Sequence, residues 1–346
     1  MSKTLFFFSL VTACIILFIG GVCKRVPSDL GVFKSEDGGE SWHQKVTIKK
    51  KKTIKNVEVL TLKIDPVNPN NLYIGTKGKG VYKSSDGAES WQQTSLSVGD
   101  VYAIDIDPKD TGIIYVGGYF GTLGKIYKST NGGEDFEEIY SETHKKIPVR
   151  ALAIDWYDTR KIYAGTKAGA LLKSEDSGRS WLVKKWVDDE IVQIAISFYD
   201  SRHVFVGAAT KGLYKTENEG ETWKDLSENL KNFSGSNQVH SIAVSRQNPK
   251  MVYLGSTYGL LVSEDEGKSW KSIKLLVKLE KTSILKIALA QDPKTIYLGI
   301  DSAVYKTTDG GISWSVKKIT SQAIITISCD FQNSQIVYAG IKKKGK

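Results

Sequence analysis

Ser263–Trp270 reads SEDEGKSW, and six further copies of the same pattern, Ser/Thr-x-Asp/Asn-x-Gly-x-x-Trp/Phe, run through the chain. They are SEDGGESW from Ser35, SSDGAESW from Ser84, STNGGEDF from Ser129, SEDSGRSW from Ser174, TENEGETW from Thr216 and TTDGGISW from Thr307. In chain order the starts are 49, 45, 45, 42, 47 and 44 residues apart, a spacing that points to one supersecondary unit repeated. Six of the eight tryptophans (Trp42, Trp91, Trp181, Trp223, Trp270 and Trp314) occupy the last place of a copy, and Phe136 fills the remaining one.

The chemistry of the pattern predicts a hairpin turn. Its third residue (Asp37, Asp86, Asn131, Asp176, Asn218, Asp265 and Asp309) is expected to bond the backbone two residues on, as an Asx-turn. Gly at the fifth position takes positive φ at little cost. Ala88 stands there in the second copy and predicts a strained turn. The Trp then opens the next strand and covers the hairpin with a large apolar face.

A second signal precedes each copy or closes the chain: Tyr73-x-Gly75, Tyr115-x-Gly117, Tyr163-x-Gly165, Phe205-x-Gly207, Tyr253-x-Gly255, Tyr297-x-Gly299 and Tyr338-x-Gly340. Before each lies an alternating apolar strand, such as Val101–Ile106. One unit therefore reads strand A, turn, strand B, loop, strand C, box turn, strand D, and four strands in about 40–45 residues make a propeller blade. The body opens at Gly31 with strands C and D only and ends at Ile324–Ile341 with strands A and B only. The expected fold is all-β: a seven-bladed β-propeller over residues 31–346, closed by pairing N-terminal strands C/D with C-terminal strands A/B, which removes an open sheet edge.

Ahead of the repeats, Met1-Ser2-Lys3 is followed by an apolar run, Leu5–Ile19, and by Gly20-Gly21-Val22-Cys23. A basic start, an apolar run and small residues predict a lipoprotein-type signal peptide over 1–22, a lipid on Cys23 and a tether over 23–30. The rival is an uncleaved anchor, because Leu5–Cys23 approaches the about 20 residues that span a bilayer. Either way the body is expected outside the cytoplasm, membrane-anchored or secreted.

Composition narrows the function classes. The 346 residues carry a net charge of +10, and six of the 48 Lys+Arg are arginine. A lysine field is diffuse and solvated, whereas bidentate phosphate recognition recruits Arg. An exported lysine-rich chain is not expected to bind nucleic acid. Cys329 is the sole body cysteine, which excludes a disulfide framework. His43, His144, His203 and His240 form no pair at ligand spacing, so neither metal nor cofactor is expected.

The boxes, with Ile-Asp-Pro at 64–66 and 106–108 and the Tyr-x-Gly strands, resemble the Asp-box (bacterial neuraminidase, BNR, repeat) propellers over residues 31–346. A single ring behind an export signal is most similar to the photosystem II assembly and stability factors. Sortilin-type receptors, sialidases and xyloglucanases share the repeat. The resemblance implies that the boxes are structural and that ligands bind the opposite face, built from B–C and D–A loops. On that face Lys77, Lys79, Tyr119, Phe120, Arg150, Trp186, Lys211 and Tyr258 are expected to contact a partner. The stretches 118–124, 139–148 and 226–238 are longer than their siblings.

The enzymatic branches fit less well. A sialidase needs three converging arginines, yet Arg160, Arg202 and Arg246 fall in A–B turns and Arg179 in a box, leaving Arg25 and Arg150 for the loop face. A glycosidase needs an acid and a carboxylate across a cleft. Asp100, Asp105, Asp188, Asp189, Glu190 and Asp301 are the candidates, but xyloglucanases hold substrate between two propellers and one is predicted here. The expected function is a membrane-anchored, non-enzymatic scaffold that binds an acidic protein partner on its loop face, with a glycan as second choice. The alternative is a glycoside hydrolase acting on a polysaccharide.

Overall fold

The computed structural model describes residues 29–48, 52–248, 250–275 and 283–345; the leader, with Cys23, lies outside them. Seven four-stranded antiparallel sheets follow one another around a central channel. Blade 1 has strands Val59–Ile64, Leu72–Thr76, Val81–Ser84 and Gln92–Gln93. The A strands of blades 2 to 6 are Asp100–Ile106, Val149–Ile154, Ile191–Ile196, Val239–Val244 and Lys286–Leu289. Blade 7 joins the two ends of the repeat region: Ala323–Cys329 and Val337–Lys342 pair with Gly31–Ser35 and His43–Lys45, in the register Gly31↔Ile341 to Ser35↔Val337. Its A strand packs between those of blades 6 and 1.

The core lies between blades. Tyr73 and Val81 of blade 1 pack with Val101, Ile104 and Ile114 of blade 2, and the pattern recurs around the ring. The Tyr-x-Gly signal now has a physical cause. A Cβ on Gly75 would stand 2.4 Å from Val101, and one on Gly165 2.4 Å from Ile191, in each case the next blade's A strand. Only glycine lets neighbouring sheets approach this closely.

The aromatic of the same signal stitches blades together. The hydroxyls of Tyr73, Tyr115, Tyr163, Tyr297 and Tyr338 donate to the backbone carbonyls of Gly132, Ser177, Glu219, Gly38 and Gly87, each in the next blade's box. A lysine just before the box lies over each of four of these rings: Lys34, Lys83, Lys128 and Lys173 stand 5.4–5.9 Å from the ring centroid. Lys173 Nζ reaches Glu175 (2.8 Å) and Glu219 (3.1 Å). Burial opposes its charge, but those hydrogen bonds outweigh it and raise its pKa. Lys215 likewise lies over Phe205, 5.5 Å from its centroid, and its Nζ reaches Glu217 (3.0 Å) and Glu266 (2.6 Å). Part of the lysine excess is therefore buried structure.

The box turn reaches further than an Asx-turn. Asp37 Oδ1 accepts from the Ser41 amide four residues on (2.9 Å), and the Ser35 hydroxyl accepts from the Gly39 amide (2.7 Å). The cause is two successive positive-φ residues, Gly38 (70°) and Gly39 (96°), which fold the chain back. Ser177, Glu219 and Glu266 take the first of these places without being glycine, and Ala88 takes the second at φ 73°. The copies with Asn keep the geometry: Asn131 Nδ2 donates to Asp135 and Asn218 Nδ2 to Thr222. Hydrogen bonds from Ser180 hold Asp176 down to about 2.

Candidate binding face and channel

Boxes and A–B turns share one face, because Gly87, Gly132 and Ser177 donate backbone bonds to Asn70, Gly112 and Arg160. The B–C and D–A loops form the other, upper face. An extra residue bulges near the start of most A strands; Tyr102, Arg150 and His240 occupy such positions, and the first two line the upper mouth of the channel. Arg150 Nε meets Glu190 Oε1 at 2.5 Å, and its guanidinium lies 4.0 Å over the Tyr102 ring. Arg150 is thus an engaged strut, where the sequence suggested a free anchor.

The other expected contact residues are spread over this face. Lys77 is exposed, 3.4 Å from Glu58. Lys79 and Lys211 are exposed, and Tyr119 is half-buried. Trp186 is 61% exposed on the outermost strand of blade 3, opposite Ala170. Tyr258 is half-buried, edge-on to Phe233 at 5.3 Å. Phe120 requires a correction: it is 5% exposed and stacks edge-on against Tyr127 at 4.8 Å. The sequence put it in a loop, but strand B runs to Phe120, pairs with Leu123 and turns at Gly121. The 226–238 insertion also folds inward, with a short 3-10 turn, Ser227–Leu230, that buries Leu230.

Most of the candidate acids are occupied. Asp100 accepts from the Gly78 amide and the Tyr102 hydroxyl. Asp189 accepts from the amides of Thr210 and Lys211, capping the next loop. Glu190 holds Arg150, and Asp301 meets Lys344 at 2.7 Å. Asp105, inside the channel, bonds Lys63 (2.6 Å) and the Ile154 amide. Among the described residues Asp188 alone of the six lacks a partner.

The channel holds what the sequence reading missed. At its lower mouth Arg246 lies 4.2 Å over Trp156, 4.5 Å over Phe198 and 4.2 Å over Phe331, three rings from three other blades. Burial lowers its pKa to about 10, leaving it charged at neutral pH. The signal was present: where blades 1 and 2 have Pro66 and Pro108 after the turn aspartate, other blades carry Trp156, Phe198, Arg246 and Phe331. Above it is a cavity of about 420 Å³. Cys329 borders it, its thiol pushed up to about 12 by burial.

The repeat, ring and box geometry decide the architecture. The chain is a seven-bladed Asp-box β-propeller. Residues 182–345 match the family described as photosynthesis system II assembly factor YCF48, and residues 31–147 match the sortilin, neurotensin receptor 3 family. No curated protein matches. Among solved structures the propeller is similar to the GH74 xyloglucanase from Xanthomonas campestris (TM-score 0.67, 16% identity, 83% of this chain and 51% of that one). It is also similar to YCF48 bound to D1 peptide (0.62, 14%, 82% and 93%) and YCF48 from Cyanidioschyzon merolae (0.62, 13%, 82% and 96%). The chain spans about half the length of the xyloglucanase. At these identities the likeness establishes the fold, which hosts both enzymes and binding proteins.

Proposed function

We propose that this propeller is an exported, membrane-tethered scaffold that binds a polypeptide on its upper face and catalyses no reaction. The carrying observation is the state of the upper-face acids: Asp100, Asp189, Glu190 and Asp301 each hold a backbone amide or a cation. Glycoside cleavage needs two carboxyl groups free to face a sugar, about 5–9.5 Å apart. The same face leaves Trp186, Lys79 and Lys211 exposed and Tyr119 half open, residue types suited to a partly apolar, acidic segment. That one YCF48 structure holds a D1 peptide supports a peptide-binding role for this fold. Lipid on Cys23, after cleavage of residues 1–22, would supply the tether, with the uncleaved anchor as rival.

The test pairs two measurements. In-membrane crosslinking should capture a protein with the wild type and lose it with Tyr119→Ala/Trp186→Ala/Lys211→Ser, while that variant keeps its circular dichroism. Capture should weaken with salt, because rim lysines act mainly through screened attraction. A panel of polysaccharides and sialosides should release no product; turnover that depends on Asp188 or Asp189 would replace the scaffold with a hydrolase. Mass spectrometry of the mature N-terminus separates lipidated Cys23 from an intact Met1.

A further inference from the structure

The channel cavity is polar on one side and nearly bare on the other. Strand register places Lys63, Asp105, Ala153, Ala195, Ala243, Ala288 and Ser328 at one level, each opposite the aromatic of its own Tyr-x-Gly signal or that signal's Phe205. Blades 3 to 6 thus present alanine to the cavity, and blades 7, 1 and 2 present Ser328, Lys63 and Asp105. One step higher, Lys286 of blade 6 reaches past blade 5 to Gln193 of blade 4, its Nζ 3.1 Å from Oε1. Arg246 and its three rings line the lower end. The volume, about 420 Å³, falls within the about 300–1,000 Å³ of small-molecule sites.

Among the described residues two cations of this chamber have no carboxylate partner, Arg246 and Lys286. Lys63 has Asp105, and Arg150 has Glu190. Asp65 and Asp330 border the lower end, where each accepts amides of its own turn. Arg246 is held by its three rings instead of by a carboxylate. Lys286 has no carboxylate among the described residues; its partner is the neutral Gln193, whose oxygen also accepts the Ile242 amide. An ammonium group half-buried in a channel wall without a counter-charge is costly, and desolvated charges are ordinarily paired. Burial, with Lys63 adding repulsion, holds its pKa down to about 8, so at pH 7 the cation persists.

We infer that the channel is a binding site for a small amphipathic carboxylate, its acid group on Lys286 and its hydrocarbon part against the alanine wall of Ala153, Ala195 and Ala243. The carboxylate completes the missing pair, and a chain of a few carbons fills space that no side chain occupies. This site is separate from the upper-face contacts and does not depend on them.

Titration calorimetry of the full chain at pH 7 and 150 mM NaCl, with acetate, butyrate, hexanoate and the matching alcohols, tests this. Affinity should rise from acetate to hexanoate, and the alcohols should bind at least tenfold more weakly. Lys286→Met should weaken hexanoate at least tenfold. Ala195→Leu, which narrows the alanine wall and leaves every charge in place, should also weaken it. The upper-face triple variant should bind hexanoate as the wild type does, so loss of a protein partner and loss of the carboxylate are read separately. Absence of hexanoate binding by the wild type, equal binding of hexanol, or unchanged binding by Lys286→Met would each overturn the inference.

Discussion

Lys173→Met removes one lysine staple and leaves the surrounding packing nearly isosteric. The Lys173 side chain is 1% exposed, and three interactions end on its ammonium: Glu219 at 3.1 Å, Glu175 at 2.8 Å and the Tyr163 ring at 5.5 Å. A hydrogen bond to a charged group contributes about 1.5–3 kcal/mol. Glu175 is 61% exposed, so its share falls to the about 0–1 kcal/mol of a surface pair. The ring adds about 0.5–2 kcal/mol. Against this stands the desolvation of the ammonium, several kcal/mol, which Met does not incur. Glu219 is not orphaned by the change, because Lys161 still holds it at 2.8 Å. The expected net loss is about 1–3 kcal/mol, below the about 3–5 kcal/mol of a buried pair broken so that its partner is left uncompensated.

Blade 5 provides an internal control. Its equivalent position is Val262, buried in the same place, so an apolar side chain fits the site. Urea denaturation at pH 7 measures the midpoint and slope for wild type, Lys173→Met, Glu219→Gln and the double variant. The two changes should be non-additive, as residues in contact are. A Lys173→Met protein as stable as the wild type, or more so, would refute the view that the staples stabilise the ring; the lysines would then serve solubility or register alone.

Three further outcomes follow from the same geometry. Gly165→Ala places a methyl 2.4 Å from Ile191 and should cost about 1–3 kcal/mol by overpacking, read as a lowered thermal midpoint. Asp265→Ala removes the acceptor of the Ser269 amide (2.8 Å) and should cost on the order of 1 kcal/mol while leaving partner capture intact; lost capture at unchanged stability would make the box a binding element. Asp176, Asp200 and Glu217 are held down to about 2 by hydrogen bonds from Ser180, Arg202 and Lys224. Their folded pKa values lie below the ordinary 3.8 and 4.5, so their stabilisation is full above those values and is lost as pH falls toward 2. An acid titration followed by tryptophan fluorescence should be flat to about pH 5 and decline below about pH 4.

Blade count and the split seventh blade were legible because the repeat frame, complete inside and halved at both ends, dictates them; the face carrying the boxes came from the family resemblance. Single-residue environments were less legible. Phe120 read as a loop residue because Gly118, Gly121 and Gly124 surround it, yet Gly99 leaves room for its ring and the strand continues to it. Arg150 read as a free cation because Glu190 lies 40 residues on, in another blade. The Arg246 cluster joins turns of four blades and becomes visible only when equivalent positions are superposed.

That superposition also bears on where function resides. Seven units of one chain, folded alike, separate the residues that the architecture demands from those it does not. The glycine of Tyr-x-Gly is present seven times because every interface between blades needs it, and the first box position is Ser or Thr seven times because every turn needs its hydroxyl. The channel level of Lys63, Asp105, Ala153, Ala195, Ala243, Ala288 and Ser328 obeys no such demand, since alanine at four of the seven shows that the fold requires nothing larger there. Nor does the fold require an ammonium one step above, where Thr61, Ala103, Ala151, Gln193, Ser241 and Thr326 stand at the positions equivalent to Lys286. A half-buried charge at one of seven equivalent places, with six neutral side chains at the others, is a feature the blade repeat does not account for. A ligand that supplies the opposite charge does.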